Sequence, residues 1–138
     1  MKVLHLATSP FGGAGIAARR LNEALNLNGV TSMLYYSGRN ALDLGNLFHV
    51  KKSKYSQFKS SLVTTLQKEF IQSQHSPVTP LSINVLKNTD IITDEYDVIH
   101  IHATYNFINF KIIEMLIQSQ KKIIFTLHDQ RLFTGGCH

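Results

Sequence analysis

Residues 1–29 read MKVLHLATSPFGGAGIAARRLNEALNLNG, and this stretch decides the fold. Lys2 to Ala7 is a mostly apolar run of strand length, closed by Pro10 and the glycines after it. Ala14 to Asn28 then takes helical spacing. Ala17, Leu21, Ala24 and Leu25 fall on one face, with Arg19, Arg20 and Glu23 off it. Gly29 is a natural stop, because glycine accepts the left-handed backbone that ends many helices.

Working outward, Thr31 to Tyr36 is a second β-rich run that ends at Ser37-Gly38. The middle, from Arg39 to Leu81, carries the least signal. Within it Tyr55 to Gln72 has an amphipathic stripe of Tyr55, Phe58, Leu62, Leu66 and Phe70. Lys59 and Lys68 lie outside the stripe, and Lys51, Lys52 and Lys54 precede it. This is expected to be a helix docked on the sheet; the alternative is a basic amphipathic element at a membrane surface. His75 to Pro80, with two prolines, reads as a loop. Tyr96 to His102 is a strand. Phe107 to Ser119 is apolar nearly all round, as a buried helix would be, and Lys122 to Leu127 is a further strand before a polar tail. Strands alternating with helices predict one α/β domain over residues 1–138. Its sheet is Rossmann-like and mostly parallel, with helices on both faces.

Composition narrows the class without choosing a function. The 138 residues suit a single domain, and the net charge of +5 is a modest surplus that belongs to a solvated surface and assigns no nucleic-acid partner. Cys137 is the single cysteine, so no disulfide framework is possible within the chain and a reducing cytoplasmic setting is expected. No run approaches the roughly 20 apolar residues of a membrane span. The protein is expected to be soluble, or at most peripheral to a membrane.

Two groups of residues carry chemistry. Gly12, Gly13, Ala14 and Gly15 lie between a strand end and a helix start, where free backbone N–H groups and the helix dipole favour an anion. Gly13, Gly15 and Ala18 also match the G-x-G-x-x-A spacing of dinucleotide sites. An NAD site needs an acid after the second strand, and Tyr35-Tyr36-Ser37-Gly38-Arg39 supplies none. Ser37 and Arg39 keep an NADP-type nucleotide in view.

The second group is histidine-rich. His102 and His128 follow two strands whose carboxyl ends should share a rim with the glycine turn, beside Thr104, Thr126 and Asp129. His100, one pleat further in, reads as structural. His128, Asp129, Cys137 and His138 are metal-ligand types but show no recognised zinc spacing, so no metal site is expected. The G-x-S-x-G elbow and the P-loop pattern are both absent from the sequence.

Three segments resemble one family. Met1-Lys2-Val3-Leu4-His5-Leu6 with Gly12-Gly13-Ala14-Gly15 and Ala17-Ala18-Arg19-Leu21 looks like the start of a family-four GT-B glycosyltransferase. Asp97-Val98-Ile99-His100-Ile101-His102 resembles its "DVIHxH" strand. Thr126-Leu127-His128-Asp129 and Phe133-Thr134-Gly135-Gly136-Cys137-His138 resemble the "TLHD…FTGGCH" segment of bacterial polysaccharide-building members. The likeness covers both ends of the chain and little of the middle. It departs from the family at Ala103, where an aromatic residue is common, with Tyr105 two positions on.

The resemblance implies a retaining transferase that moves a sugar from a nucleotide-sugar donor to a glycan or lipid-linked acceptor in surface polysaccharide synthesis. It implies no cofactor and no metal, and a cytoplasmic setting, either free or peripheral to the inner face of the membrane. The glycine turn would lie near the donor diphosphate. His128 would be the catalytic-site residue that positions the transferred sugar, and His102, Thr104 and Asp129 would line the acceptor side of the cleft. It further implies that residues 1–138 are part of the acceptor-side domain, with the donor-binding domain absent and the chain inactive alone. The alternative from the residues themselves is a nucleotide-binding module of NADP type without transferase activity. A third class, a non-catalytic interaction domain, would show an exposed stripe from Phe58 to Phe70.

Overall fold

A computed structural model describes residues 1–38, 45–51, 54, 58, 61–62, 65 and 95–128. In chain order these form β1 (Lys2–Ala7), α1 (Gly12–Leu27), β2 (Thr31–Tyr36), β3 (Leu47–His49), β4 (Val98–Ile101), α2 (Phe110–Gln118) and β5 (Lys122–Phe125). The strands make one all-parallel sheet in the order β3-β2-β1-β4-β5. This is the expected α/β, Rossmann-like arrangement, with β1 at the centre.

The strand order explains where the helices lie. From β1 the chain steps one way to β2, and from β4 it steps the other way to β5. Right-handed crossovers in opposite directions put their helices on opposite faces. The cores follow that rule. Leu4, Leu6, Ile99 and Ile101 pack with Ile112 and Leu116 of α2. Ala7, Leu34, Tyr36 and Leu47 pack with Ala18 of α1 on the other face. Adjacent residues of β1 thus serve different helices, as the two-residue pleat requires.

Helix α1 begins at Gly12, two residues before the sequence placed it, so the glycines form its first turn. It ends as Gly29 predicts. The Gly29 N–H donates to the Asn26 carbonyl at 3.1 Å and the Val30 N–H to the Leu25 carbonyl at 2.9 Å, which is a Schellman pair. The buried face differs from the periodicity reading, however. Gly15, Ala18 and Asn22 are buried, whereas Ala17, Leu21 and Ala24 are exposed.

The reason is a polar clasp that apolar spacing cannot show. Asn22 Oδ1 accepts from Ser32 Oγ at 2.7 Å, and Asn22 Nδ2 donates to the Asn46 carbonyl at 3.2 Å. Asn26 Nδ2 donates to the Asn22 and Ser32 carbonyls at 2.8 and 2.9 Å, and its Oδ1 accepts from the Ser32 N–H at 3.1 Å. With its polar groups satisfied, Asn22 can take a core position.

Helix α2 is one-sided rather than buried all round. Ile112 and Leu116 are buried, but Phe110 is 73% and Ile117 60% exposed. Asn109 caps it, Oδ1 accepting from the Ile112 N–H at 3.1 Å. Strand β3, only three residues long, was too short to leave a periodic signal. In the expected helix of the middle segment, Phe58 is 68% and Leu62 48% exposed, so these two are not docked. Tyr55, Leu66, Phe70 and the loop His75 to Pro80 lie outside the described residues. Among the described residues no helix is long and apolar enough to cross a membrane.

Candidate functional site

The centre of the sheet gathers histidines. β1 and β4 pair in parallel with His5 opposite His100, and His102 follows two residues later on the same face. β5 lies beside β4, with His100 opposite Ile124, which brings Thr126 and then His128 alongside His102. The cluster spans the gap between β1 and β4, where the strand order reverses. That is the switch point at whose carboxyl edge open parallel sheets bind ligands.

The contacts run outward from the core. His5 Nδ1 and His102 Nε2 are 3.1 Å apart, and His102 Nδ1 and His128 Nε2 are 3.4 Å apart. His100 Nε2 is 2.7 Å from Thr126 Oγ1. The His100 and His102 rings lie 4.0 Å apart between centroids, and His102 stacks on His128 at 5.7 Å. His5, His100 and His102 are buried, while His128 is exposed. His5 Nε2 is buried without a hydrogen-bond partner.

Burial sets the charge of the group. Loss of water, and then the neighbouring His100, push the His5 imidazole down to about 4. Burial first, then His100, His5 and His128, push His102 down to about 3. His100 is lowered by burial and then by His128. All three are therefore neutral at pH 7, each with a ring nitrogen lone pair to offer.

At the rim a small pocket opens between the ends of β4 and β5, with His102, Thr104, Thr126 and His128 in its lining. Of the residues singled out from the sequence, His102, Thr104 and His128 therefore come together, and Asp129 lies outside the described residues. So do Cys137 and His138. Gly12, Gly13, Ala14 and Gly15 are the first turn of α1, which follows the carboxyl end of β1 at the same edge, but they do not line this pocket. Phe11 is the N-cap residue, and no side chain caps the turn. Gly12 has φ +79°, open to glycine without strain. Gly15 is fixed by contact: a Cβ there would fall 2.8 Å from the Pro10 carbonyl carbon and closer still to the Ser9 carbonyl oxygen. Gly13 would meet nothing within 4 Å.

The loops at this edge are tied together. Thr8 Oγ1 donates to the Tyr105 carbonyl at 2.8 Å, and the Ser37 N–H to the Thr8 carbonyl at 3.2 Å. Ser37, a candidate for holding a ribose phosphate, is buried, and Arg39 lies outside the described residues.

Sequence reasoning missed His5. Its signal was available, as the one polar side chain between Val3 and Ala7, but a central-strand position is visible only once β4 is seen to pair there. No known protein family, curated protein or solved structure matches the chain.

Proposed function

We propose that the chain is the acceptor-side part of a retaining GT-B glycosyltransferase. It would transfer a sugar from a nucleotide-sugar to a glycan or lipid-linked acceptor in surface polysaccharide synthesis. The observation that carries this reading is the convergence of His102, Thr104 and His128 on one pocket at the carboxyl edge of a parallel sheet, between β4 and β5 and one strand from its switch point. The strands that deliver them hold the motifs behind the family resemblance.

In this reading His128, exposed at the rim, hydrogen-bonds the sugar being transferred. The uncapped N–H groups of the first turn of α1 face the departing diphosphate, whose charge they stabilise as it develops. His102, Thr104 and the residue after His128, Asp129, bind the acceptor side. A donor-binding domain completes the cleft.

The test joins the chain to its implied donor-binding domain and measures sugar transfer from a panel of UDP- and GDP-sugars to lipid-linked acceptors. His128→Ala should cut turnover at least a hundredfold with the fold unchanged by circular dichroism, and unchanged turnover sinks the assignment. Calorimetry with NADPH on the chain alone addresses the other class. Saturable micromolar binding would favour a nucleotide-binding module instead.

A further inference from the structure

We infer that His5, His100 and His102 form a binding site for a late first-row divalent metal ion, of which zinc is the representative. One ring nitrogen from each of the three lies within 4.8 Å of those of the other two. Two nitrogens on one tetrahedral zinc, each about 2.0–2.1 Å from the metal, stand about 3.3 Å apart. His5 Nδ1 and His102 Nε2 are already 3.1 Å apart. The site requires the His100 ring, held at Nε2 by Thr126, to bring its Nδ1 in from within 4.8 Å to that spacing.

A hydrogen bond between His5 and His102 explains only part of this arrangement. It does not account for His5 Nε2, which is buried without a protein partner and, with Nδ1 as the bonding or ligating atom, calls for a water. Nor does it explain why a third imidazole is packed 4.0 Å from His102 in the interior. Burying three imidazoles side by side costs desolvation that aliphatic residues would avoid.

The surroundings suit a ligand set. Metal-bound histidines are oriented by a partner on their other ring nitrogen. Thr126 Oγ1 holds His100, and His128 lies against the outer nitrogen of His102. Among the described residues no carboxylate or thiolate joins the group, so the donors are imidazoles alone. That set suits Zn, Cu, Ni and Fe over Mg and Ca. Three protein ligands leave a fourth position for water or hydroxide, whose negative charge offsets part of the cation's. His102 also lines the pocket of the sugar-transfer reading, but metal binding is measured without transfer, so either reading can fail while the other stands.

The experiment uses the chain, stripped with a chelator and titrated with Co²⁺, then with Zn²⁺ in competition. One equivalent of Co²⁺ should bind, with visible absorption of tetrahedral intensity that one equivalent of Zn²⁺ abolishes. His5→Gln and His102→Gln should each weaken binding at least tenfold, and His128→Ala, which removes an orienting partner and not a ligand, should keep one equivalent bound with a smaller loss of affinity. In case the glutamine variants fail to fold, ¹⁵N-histidine spectra of the unaltered chain give a second readout: Zn²⁺ must shift the ring nitrogens of His5, His100 and His102 together. No retained metal at 100 µM Co²⁺, or shifts confined to other histidines, overturns the site.

Discussion

Acidification from pH 7 to pH 5 should destabilise the fold steeply, and His5 and His102 set the size of the effect. Their folded values lie at about 4 and about 3, below the ordinary 6.5. Between those limits the unfolded ensemble binds protons that the folded state refuses, so stability rises with pH. The contribution is intact above 6.5 and is lost progressively as pH falls towards the folded values. At pH 5 neither ring is protonated in the folded state, so the loss comes almost wholly from protonation of the unfolded chain. Relative to pH 7 that amounts to about 2 kcal/mol for each histidine, or about 4 kcal/mol together. His100, shifted the same way, adds to it.

Such a loss is a large share of the ~5–15 kcal/mol that holds a domain of this kind together. Urea unfolding at a series of pH values, with a chelator present, measures it directly. The midpoint should fall by about 2 M between pH 7 and pH 5 for a typical slope. His5→Phe should remove about 2 kcal/mol of that dependence, whatever it does to stability at pH 7. Carboxylates titrate mostly below this window and leave it to the histidines. A difference under about 1 kcal/mol between the two pH values, or one that His5→Phe leaves unaltered, refutes the reasoning.

Three further outcomes concern helix placement and can be read by thermal or urea unfolding. Gly15→Ala should cost about 1–3 kcal/mol, because the added methyl meets the Ser9–Pro10 backbone, while Gly13→Ala, with open space, should stabilise by up to about 1 kcal/mol. Asn22→Ala should cost about 1–3 kcal/mol by stranding Ser32 Oγ, and Asn22→Asp should recover part of it through the same acceptor. Asn109→Ala should cost about 1 kcal/mol through loss of the cap on α2.

The elements with a strong local signal were legible in the sequence. Lys2–Ala7 and Thr31–Tyr36 match their strands to the residue, and Gly29 ends α1 through hydrogen bonds that its position foretells. The alternation of strands and helices was enough for a parallel sheet. The inner face of α1 was not legible, since Gly15 and Ala18 bury by being small and Asn22 by being satisfied, and hydrophobic periodicity records neither. For α2, Phe110 and Ile117 look like core residues by type, yet only pairing with the sheet decides which apolar side turns inward. At the rim, His102 and His128 could be placed from their positions at strand ends. His5 could not, because its role depends on a register partner 95 residues away.

The clasp of Asn22, Asn26, Ser32 and Asn46 has a consequence at the other end of the helix. Gly15 and Ala18 offer a smooth surface along which a helix could slide over the strands. Directional bonds from Asn22 act as an indexing pin: a slip of one turn, about 5.4 Å, would break them together. The pin sits ten residues, about 15 Å along the axis, from Gly12. It therefore sets the height of the first turn above the sheet edge, so that a side-chain amide remote from the rim gauges how far the free N–H groups project.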